Sequence, residues 1–260
     1  MSVINESGVS STTVRLKTEN NYVFDLELAA VDGSLHEFFT DFGQMTYIVV
    51  SSVFFSLCEG KLEYRGSRIK EAIVEGKGEE VMRRMEYEEA SSLNMLVLMD
   101  RKITMDLTLG MKIPPSTIAI VKDFDQMERK KVDQPDAPWL MLTEGSPRTG
   151  YVKLSNQGWV FRLETNLNMS PEQLLALLYS MSREPIPEAL GYNYPLFLAD
   201  KMAKYYRDKS KKALDFLSTK ELSRYRTFRS LVEGRRRIWN TSRSWQTERS
   251  EGNYQTHGRW

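Results

Sequence analysis

The first sixty residues carry two apolar patterns that are typical of β-strands. Residues 23–31 alternate between polar and apolar side chains and then become apolar, which predicts a strand that ends at Asp32 in front of a Gly-Ser turn. Residues 45–57 are rich in β-branched and aromatic side chains, so we expect a second, buried strand antiparallel to the first. A short third strand is predicted over residues 61–64.

The middle of the chain alternates between helical and strand-like patterns. Apolar residues recur at helical spacing over 69–92, with a break expected at Gly76 and Gly78. A Ser-Pro-Glu segment opens a helix over 170–181, and a long final helix is predicted over about 195–217. Short apolar runs that predict further strands occupy 94–100, 116–123, 138–142, 150–154 and 158–164. The order of these elements predicts the α/β class.

Composition limits the kinds of functional site that the chain can build. With 36 Lys and Arg against 35 Asp and Glu and 41% hydrophobic residues, the chain is typical of a folded globular protein. A single cysteine, Cys58, excludes an intramolecular disulfide and favours a reducing, cytoplasmic location. Since there are only two histidines, carboxylates would have to hold any metal. The longest apolar run, 47–57, is too short to span a membrane, so we expect no membrane association.

Charge is distributed unevenly along the chain. Residues 201–260 contain 16 Lys and Arg against 6 Asp and Glu, a balance of +10, which leaves −9 for the rest. We expect a polar N-terminal leader (1–21) and a basic C-terminal extension (218–260) that is helical to about residue 238 and disordered from about 240. A basic segment suits a polyanion such as DNA, although a solvated helix face and a frayed tail give the same count. The arginines expected to bind nucleic acid are Arg235, Arg236, Arg237 and Arg243.

Tryptophans accompany the arginines of the C-terminal extension and also occur near residue 160. In the extension, Arg and Trp together favour either unpaired bases or a partner protein, and the sequence does not separate these. Trp159 and Phe161 alternate along one predicted strand and therefore share a face. For this pair we expect core or dimer packing rather than base stacking.

Carboxylates fall at the boundaries of several predicted elements. Asp32 closes the first strand, Glu86 lies on the central helix and Asp100 closes a central strand. Mg²⁺ and Mn²⁺ prefer oxygen ligands, and metal-dependent nucleases hold such ions with clustered carboxylates. Aspartates at strand ends are also common turn formers, so the pattern alone leaves a metal site and a structural role open.

Several short segments stand in a fixed order along the chain: AAVDGS (29–34), RRMEYEEA (83–90), LVLMD (96–100), AIVKD (119–123), GYVKL (150–154), VFRLE (160–164) and GYNYPLFLADKMA (191–203). Segments of this kind occur in the same order in the NurA nuclease family, and over about residues 22–217, which we expect to form a central domain, the chain resembles that family. The resemblance implies an RNase H-like core with a mixed sheet flanked by helices. It also implies Mn²⁺-dependent degradation of DNA, with Mg²⁺ as an alternative. A homodimer and a hexameric HerA-like translocase as partner in DNA-end resection and repair are implied as well.

The same resemblance implies roles for individual carboxylates. Asp32, Glu86 and Asp100 match the catalytic, metal-binding acids of the family. Glu88 and Glu89 lie near enough to Glu86 to leave the choice among the three open.

Other matched positions include two departures from the family pattern. Lys122 matches a lysine that could hold a phosphate or balance the acids, and Tyr192 matches an aromatic residue before the last helix. The family usually has Gly-Ser after the second Asp and a His in the last helix, whereas this chain has Arg101-Lys102 and Asp200. Asp200 can bind metal, but it serves as a general acid near neutral pH only if its pKa is strongly raised. An active nuclease and a catalytically degenerate DNA-binding or regulatory subunit therefore both remain open.

Overall fold

The computed structural model describes residues 2–4, 10–16, 22–40, 43–183, 187–189, 191–218, 226–227 and 229–234. Within these residues ten strands form one sheet: β1 (Ser2–Ile4), β2 (Ser10–Arg15), β3 (Asp25–Thr40), β4 (Gly43–Cys58), β5 (Lys61–Glu75), β6 (Leu96–Met99), β7 (Thr117–Val121), β8 (Trp139–Thr143), β9 (Arg148–Lys153) and β10 (Phe161–Thr165). The helices are α1 (Glu79–Ser92), α2 (Ile103–Thr108), α3 (Gln126–Val132), α4 (Pro171–Ser180) and α5 (Tyr194–Ser218).

The sheet is mixed, and its order is β1-β2-β8-β9-β10-β7-β6-β3-β4-β5. β3, β4 and β5 form an antiparallel meander, β6 lies parallel to β3, and β7 lies parallel to β6. Three antiparallel strands followed by two parallel ones, with a helix in the first crossover, form the RNase H-like core that the resemblance implied. The α/β class with a mixed sheet flanked by helices is therefore confirmed.

The long meander corrects two predictions made from local pattern. β3 does not end at Asp32 but continues to Thr40, because β4 offers an apolar partner along its whole length and the two strands pair from Asp25–Cys58 to Thr40–Gly43. Residues 69–75, predicted to be helical, extend β5 instead, since they pair with the same strand. Cross-strand pairing thus outweighs the local helical spacing. Only the second half of the predicted 69–92 helix forms, as α1.

The edges of the sheet show what the sequence pattern missed. β2 pairs with β8, so part of the segment predicted to be a polar leader adds a strand to the sheet. The short helices α2 and α3 were not predicted. The predicted helix at 170–181 forms with a capping box between Ser170 and Gln173. Arg235, Arg236, Arg237 and Arg243, predicted to bind nucleic acid, lie outside the described residues, as does the predicted disorder from about 240.

The core lies on both faces of the central strands. Leu28 and Ala30 of β3 point to the face covered by α4 and α5, and Val31 points to the face covered by α1. No helix among the described residues is long and apolar enough to cross a membrane.

A buried carboxylate joins α1 to the meander. Glu89 is fully buried, and it accepts a hydrogen bond from the Ser52 hydroxyl at 2.9 Å. Its oxygens also lie 2.5 Å from Lys70 Nζ and 3.1 Å from an Arg68 guanidinium nitrogen, both on β5. Burial raises the pKa of Glu89, but the bonds from Lys70 and Ser52 and the charge of Arg68 outweigh it, so the net shift is downward.

Replacement of Glu89 by Gln should lower the free energy of unfolding by about 1–3 kcal/mol at neutral pH, because a buried charge-assisted network is lost. The lowered pKa means that Glu89 stabilises the fold above the ordinary glutamate pKa and loses this effect as pH falls through the folded-state value. Urea unfolding should therefore show a gap in the free energy of unfolding between wild type and Glu89→Gln that narrows as the pH is lowered below the ordinary glutamate pKa. The exposed Glu88→Gln on the same helix is the control. A gap that does not change with pH would contradict this role.

Candidate active site

Asp32 and Asp100 are brought together by the parallel pairing of β3 with β6. Val31 lies opposite Met99, so the next residue of each chain segment, Asp32 and Asp100, lies at the same end of the pair. Strand alternation points Asp32 to the face that carries α5. The Gly33 backbone N–H donates to Asp32 Oδ1 at 2.9 Å, which fixes the carboxylate.

A third aspartate reaches this place from helix α5. Ser51 lies opposite Asp32 in the β3–β4 pairing, and its hydroxyl donates to the carbonyl oxygen of Ala199 at 2.7 Å. Both Ser51 and Ala199 are fully buried, so this bond fixes the helix directly beside Asp200. The serine that interrupts the apolar run of β4 therefore positions a residue of the candidate site.

Lys122, the first residue after β7, lies among these aspartates. Its ammonium nitrogen is 3.0 Å from Asp100 Oδ2 and 4.0 Å from Asp200 Oδ1. The ammonium also lies 4.9 Å from the ring centroid of Tyr192, whose hydroxyl donates to the carbonyl oxygen of Ile120 at 3.0 Å. The tyrosine ring thus packs against the lysine ammonium, while its hydroxyl stays hydrogen-bonded to the backbone of β7.

Glu86 approaches from α1, on the other face of the sheet. A side chain on Gly33 would place its Cβ 2.2 Å from Glu86 Oε1, so the glycine leaves the space that the carboxylate occupies. Arg101 forms an ion pair with Glu86, whose side chain is only 2% exposed. The absence of a side chain at Gly33 therefore lets Glu86 come close to the Asp32 segment across the sheet.

The segment that carries Arg101 is held from both sides. The Tyr87 hydroxyl donates to Asp106 Oδ2 at 2.8 Å, which joins α2 to α1. The backbone N–H of Thr104 donates to Glu164 Oε2 at 2.7 Å, which joins the same segment to β10. These bonds fix the turn after Asp100 and hence the direction of the arginine.

Electrostatics in the cluster reflect many acids and few cations. Burial raises the pKa of Asp32 well above its usual range, and the neighbouring carboxylates of Glu86, Asp100 and Asp200 raise it further. Burial also raises the pKa of Asp100, which Lys122 offsets only in part. The pKa of Glu86 is raised by burial in the same way despite Arg101.

The aspartates of the cluster raise the pKa values of Lys122 and Tyr192. Burial lowers the pKa of Lys122, but Asp100, Asp200 and Asp32 outweigh burial and the net shift is upward, so the lysine stays charged. Burial and the same three aspartates raise the pKa of Tyr192 well above its ordinary value, and the phenol stays neutral.

Most of the residues predicted for the site therefore lie together. Asp32, Asp100, Lys122, Tyr192 and Asp200 form one group on the α5 side, and Glu86 joins them from the α1 side. Among the three glutamates left open by sequence, Glu86 is the one beside Asp32, whereas Glu88 is exposed and Glu89 belongs to the separate network with β5. Sequence reasoning did not anticipate Ser51 or the space at Gly33 as contributors. The polar interruption of an apolar strand was the one available signal.

The donor set has the chemistry of a divalent-cation site. Four carboxylates face three cations in the cluster, because Lys204 lies 2.8 Å from Asp200 Oδ1 in addition to the pairs made by Lys122 and Arg101. With all four acids ionised, one negative charge is left, which a divalent cation bound by oxygen ligands would offset. Among the described residues, no group of three acidic, His or Cys side chains is arranged to hold a metal ion as it stands. Since Lys122 lies between Asp100 and Asp200, its ammonium would have to move for both to bind one ion. The carboxylate oxygens and their net negative charge have the chemistry that a divalent cation requires. In this structure the same oxygens are ion-paired with lysine and arginine side chains.

Part of the chain is similar to a known protein family. Residues 146–205, which include Tyr192 and Asp200, match the NurA domain family model. No curated protein matches the chain.

Solved nuclease structures are similar at low identity. The NurA nuclease from Sulfolobus solfataricus has 14% identity and a TM-score of 0.47, covering 75% of this chain and 86% of that chain. Human ENDOV has 15% identity and a TM-score of 0.47, covering 72% and 86%. An endonuclease V from Bacillus subtilis has 15% identity and a TM-score of 0.46, covering 72% and 83%. The NurA-domain match contains three of the predicted motif segments, at 150–154, 160–164 and 191–203, and over this part the chain is similar to the NurA family.

Proposed function

We propose that this protein is a divalent-metal-dependent deoxyribonuclease that hydrolyses phosphodiester bonds at the Asp32 cluster. The observation that carries the proposal is the convergence of Asp32, Asp100 and Asp200 around Lys122 with negative charge left uncompensated. Strongly perturbed carboxyl groups grouped with a cation are typical of catalytic sites. The NurA-domain match supports the same class of activity.

The three aspartates would hold the cation, and the negative charge of Glu86 would attract it from the other face of the sheet. When bound, such a cation lowers the pKa of a water molecule and stabilises the charge that develops on the phosphate. Lys122 stays protonated and offers a positive charge to a phosphate oxygen, while Tyr192 keeps its ammonium in place. In hydrolysis the water oxygen bonds to phosphorus and gives up one proton, the bond to one ester oxygen breaks, and that leaving oxygen takes up a proton.

The finer parts of the proposal come from the family resemblance. They are Mn²⁺ as the preferred metal, a HerA-like hexameric translocase as partner, a role in DNA-end resection and repair, and a cytoplasmic homodimer. For the dimer, the described sheet ends at β5, an edge strand of 15 residues. Its Tyr64 and Ile73 are 53% and 54% exposed, so the edge is available to a second copy.

A second candidate function is supported by the two ion pairs in the cluster. Arg101 neutralises Glu86, and Lys122 lies between two of the aspartates. In a degenerate NurA-like subunit these cations would replace the metal permanently, and the protein would bind DNA or regulate a partner without cleaving. Metal binding separates this function from an active nuclease.

Replacement of Asp32 by Asn should reduce Mn²⁺-dependent cleavage of single- and double-stranded DNA by more than about 100-fold, because a ligand and one negative charge are lost. Release of labelled nucleotides measures the effect. The control is Asp136→Asn, which changes an aspartate whose side chain is 79% exposed. Equal cleavage by wild type and Asp32→Asn would contradict the proposed site.

Replacement of Arg101 by Gly should raise Mn²⁺ affinity on the order of 10-fold or more, because Glu86 loses its internal counter-ion. Titration calorimetry measures the change directly. Lys102→Ala removes one positive charge at the next position, outside the ion pair, and should change affinity much less. Absence of Mn²⁺ binding in both wild type and Arg101→Gly would favour the degenerate subunit.

Removal of residues 240–260 should weaken DNA binding, since Arg243, Arg249 and Arg259 are deleted with two tryptophans. Each lost phosphate contact should make the dependence on salt shallower, by about 0.7 in the log–log slope on single strands. Binding measured across a series of salt concentrations tests this. An unchanged slope, together with lost binding to a translocase partner, would assign the segment to protein docking.

A further inference from the structure

An aromatic and cationic surface lies directly beside the carboxylate cluster. The guanidinium carbon of Arg129 lies 4.8 Å from the ring centroid of Phe124 and 4.8 Å from that of Trp159. Trp159 is 49% exposed, whereas Phe161 is only 2% exposed. Core packing, one of the two alternatives expected for this pair, is therefore confirmed for Phe161 and wrong for Trp159. Trp159 lies just before β10, so it does not share the strand's alternation and presents its indole to solvent.

The sheet places this surface next to Lys122. β10 runs antiparallel to β7 with Arg162 opposite Val121, so the residues before β10 and after β7 lie at the same end of the pair. Arg129 donates a hydrogen bond to the carbonyl oxygen of Lys122, whose ammonium lies 3.0 Å from Asp100. Trp159 is thus connected to the carboxylate cluster through Arg129 and Lys122.

Hydrogen bonds and close packing hold the residues around Trp159 in place. Asp125 caps α3 by accepting from the Glu128 N–H at 2.8 Å, and the Tyr151 hydroxyl donates to the Glu128 carboxylate. A Cβ on Gly191 would lie 3.1 Å from the Gly158 Cα, so the turn before Trp159 packs closely against the loop that precedes Tyr192. The exposed indole therefore has a defined position relative to the site.

The chemistry of this surface matches an unpaired nucleobase. Aromatic side chains stack on bases of single strands, and neighbouring cations bind the phosphates. Lys130 and Lys131 follow Arg129 on α3, and both are exposed. We propose that Trp159, supported by Arg129, is a stacking platform for an unpaired base of the DNA strand whose phosphate enters the carboxylate cluster. The identity of the ligand rests on the proposed nuclease function.

Binding of the full chain to a fluorescent single-stranded oligonucleotide in EDTA, which prevents cleavage, tests the platform. Trp159→Ala should weaken binding by roughly 5- to 100-fold, the change expected for one base–aromatic stack, and Trp159→Tyr should restore most of it. Oligonucleotides with one abasic site, moved along the strand, should weaken wild-type binding at one position. Trp159→Ala should not discriminate against that position. Phe39→Ala, which removes an aromatic residue that is 61% exposed elsewhere, is the matched control.

Unchanged binding by Trp159→Ala, or abasic sites that weaken wild-type binding equally at all positions, would overturn the platform. The abasic series uses wild type alone and stays decisive even if the variant does not fold. Loss of binding to a second protein with unchanged DNA binding would assign Trp159 to docking and also overturn it. Failure of the nuclease proposal is distinguishable: the wild type would then show the stacking pattern in EDTA but would not cleave DNA with Mn²⁺.

Discussion

Mutual repulsion among four carboxylates is the constraint on which this end of the molecule depends. Asp32, Glu86, Asp100 and Asp200 come from four separate elements, and burial raises the pKa of the first three. Each acid costs free energy in this environment unless a cation or a fixed dipole offsets it. The surrounding structure supplies such offsets in the Lys122 ammonium, the Arg101 guanidinium and the N–H of the residue after Asp32.

The sheet itself divides these acids into two groups. Three aspartates lie on the α5 side, and Glu86 lies on the α1 side, separated by strand β3. Gly33 is the point where the two groups approach, because any larger residue would collide with the glutamate. Arg101 is then the natural partner of Glu86, while Lys122 serves the aspartates. The two internal cations therefore act on different faces of the sheet.

The sequence contained much of the site but little of its geometry. Acids near apolar runs and the helix start at Ser170 depend on local patterns, and both were predicted from them. The placement of Asp32 within a strand, instead of at its end, depends on pairing with β4, which no local window contains. The strand at residues 69–75 has the same cause. The core alternative for Trp159 was wrong because the strand begins two residues later, so alternation did not apply. The dimer alternative stays a prediction.

Stability alone does not explain why the cluster is present. Replacing buried ionic groups by apolar residues of similar size is often neutral or stabilising by about 1–4 kcal/mol, so a purely structural subunit gains little from four acids here. By contrast, Glu89 has three partners and a lowered pKa, as expected for a carboxylate that serves the fold. The raised pKa of Asp32 is the opposite condition, and it persists although two cations lie nearby. Strongly perturbed carboxyl groups of this kind cluster at functional sites, which supports the proposed cation site over a purely structural role.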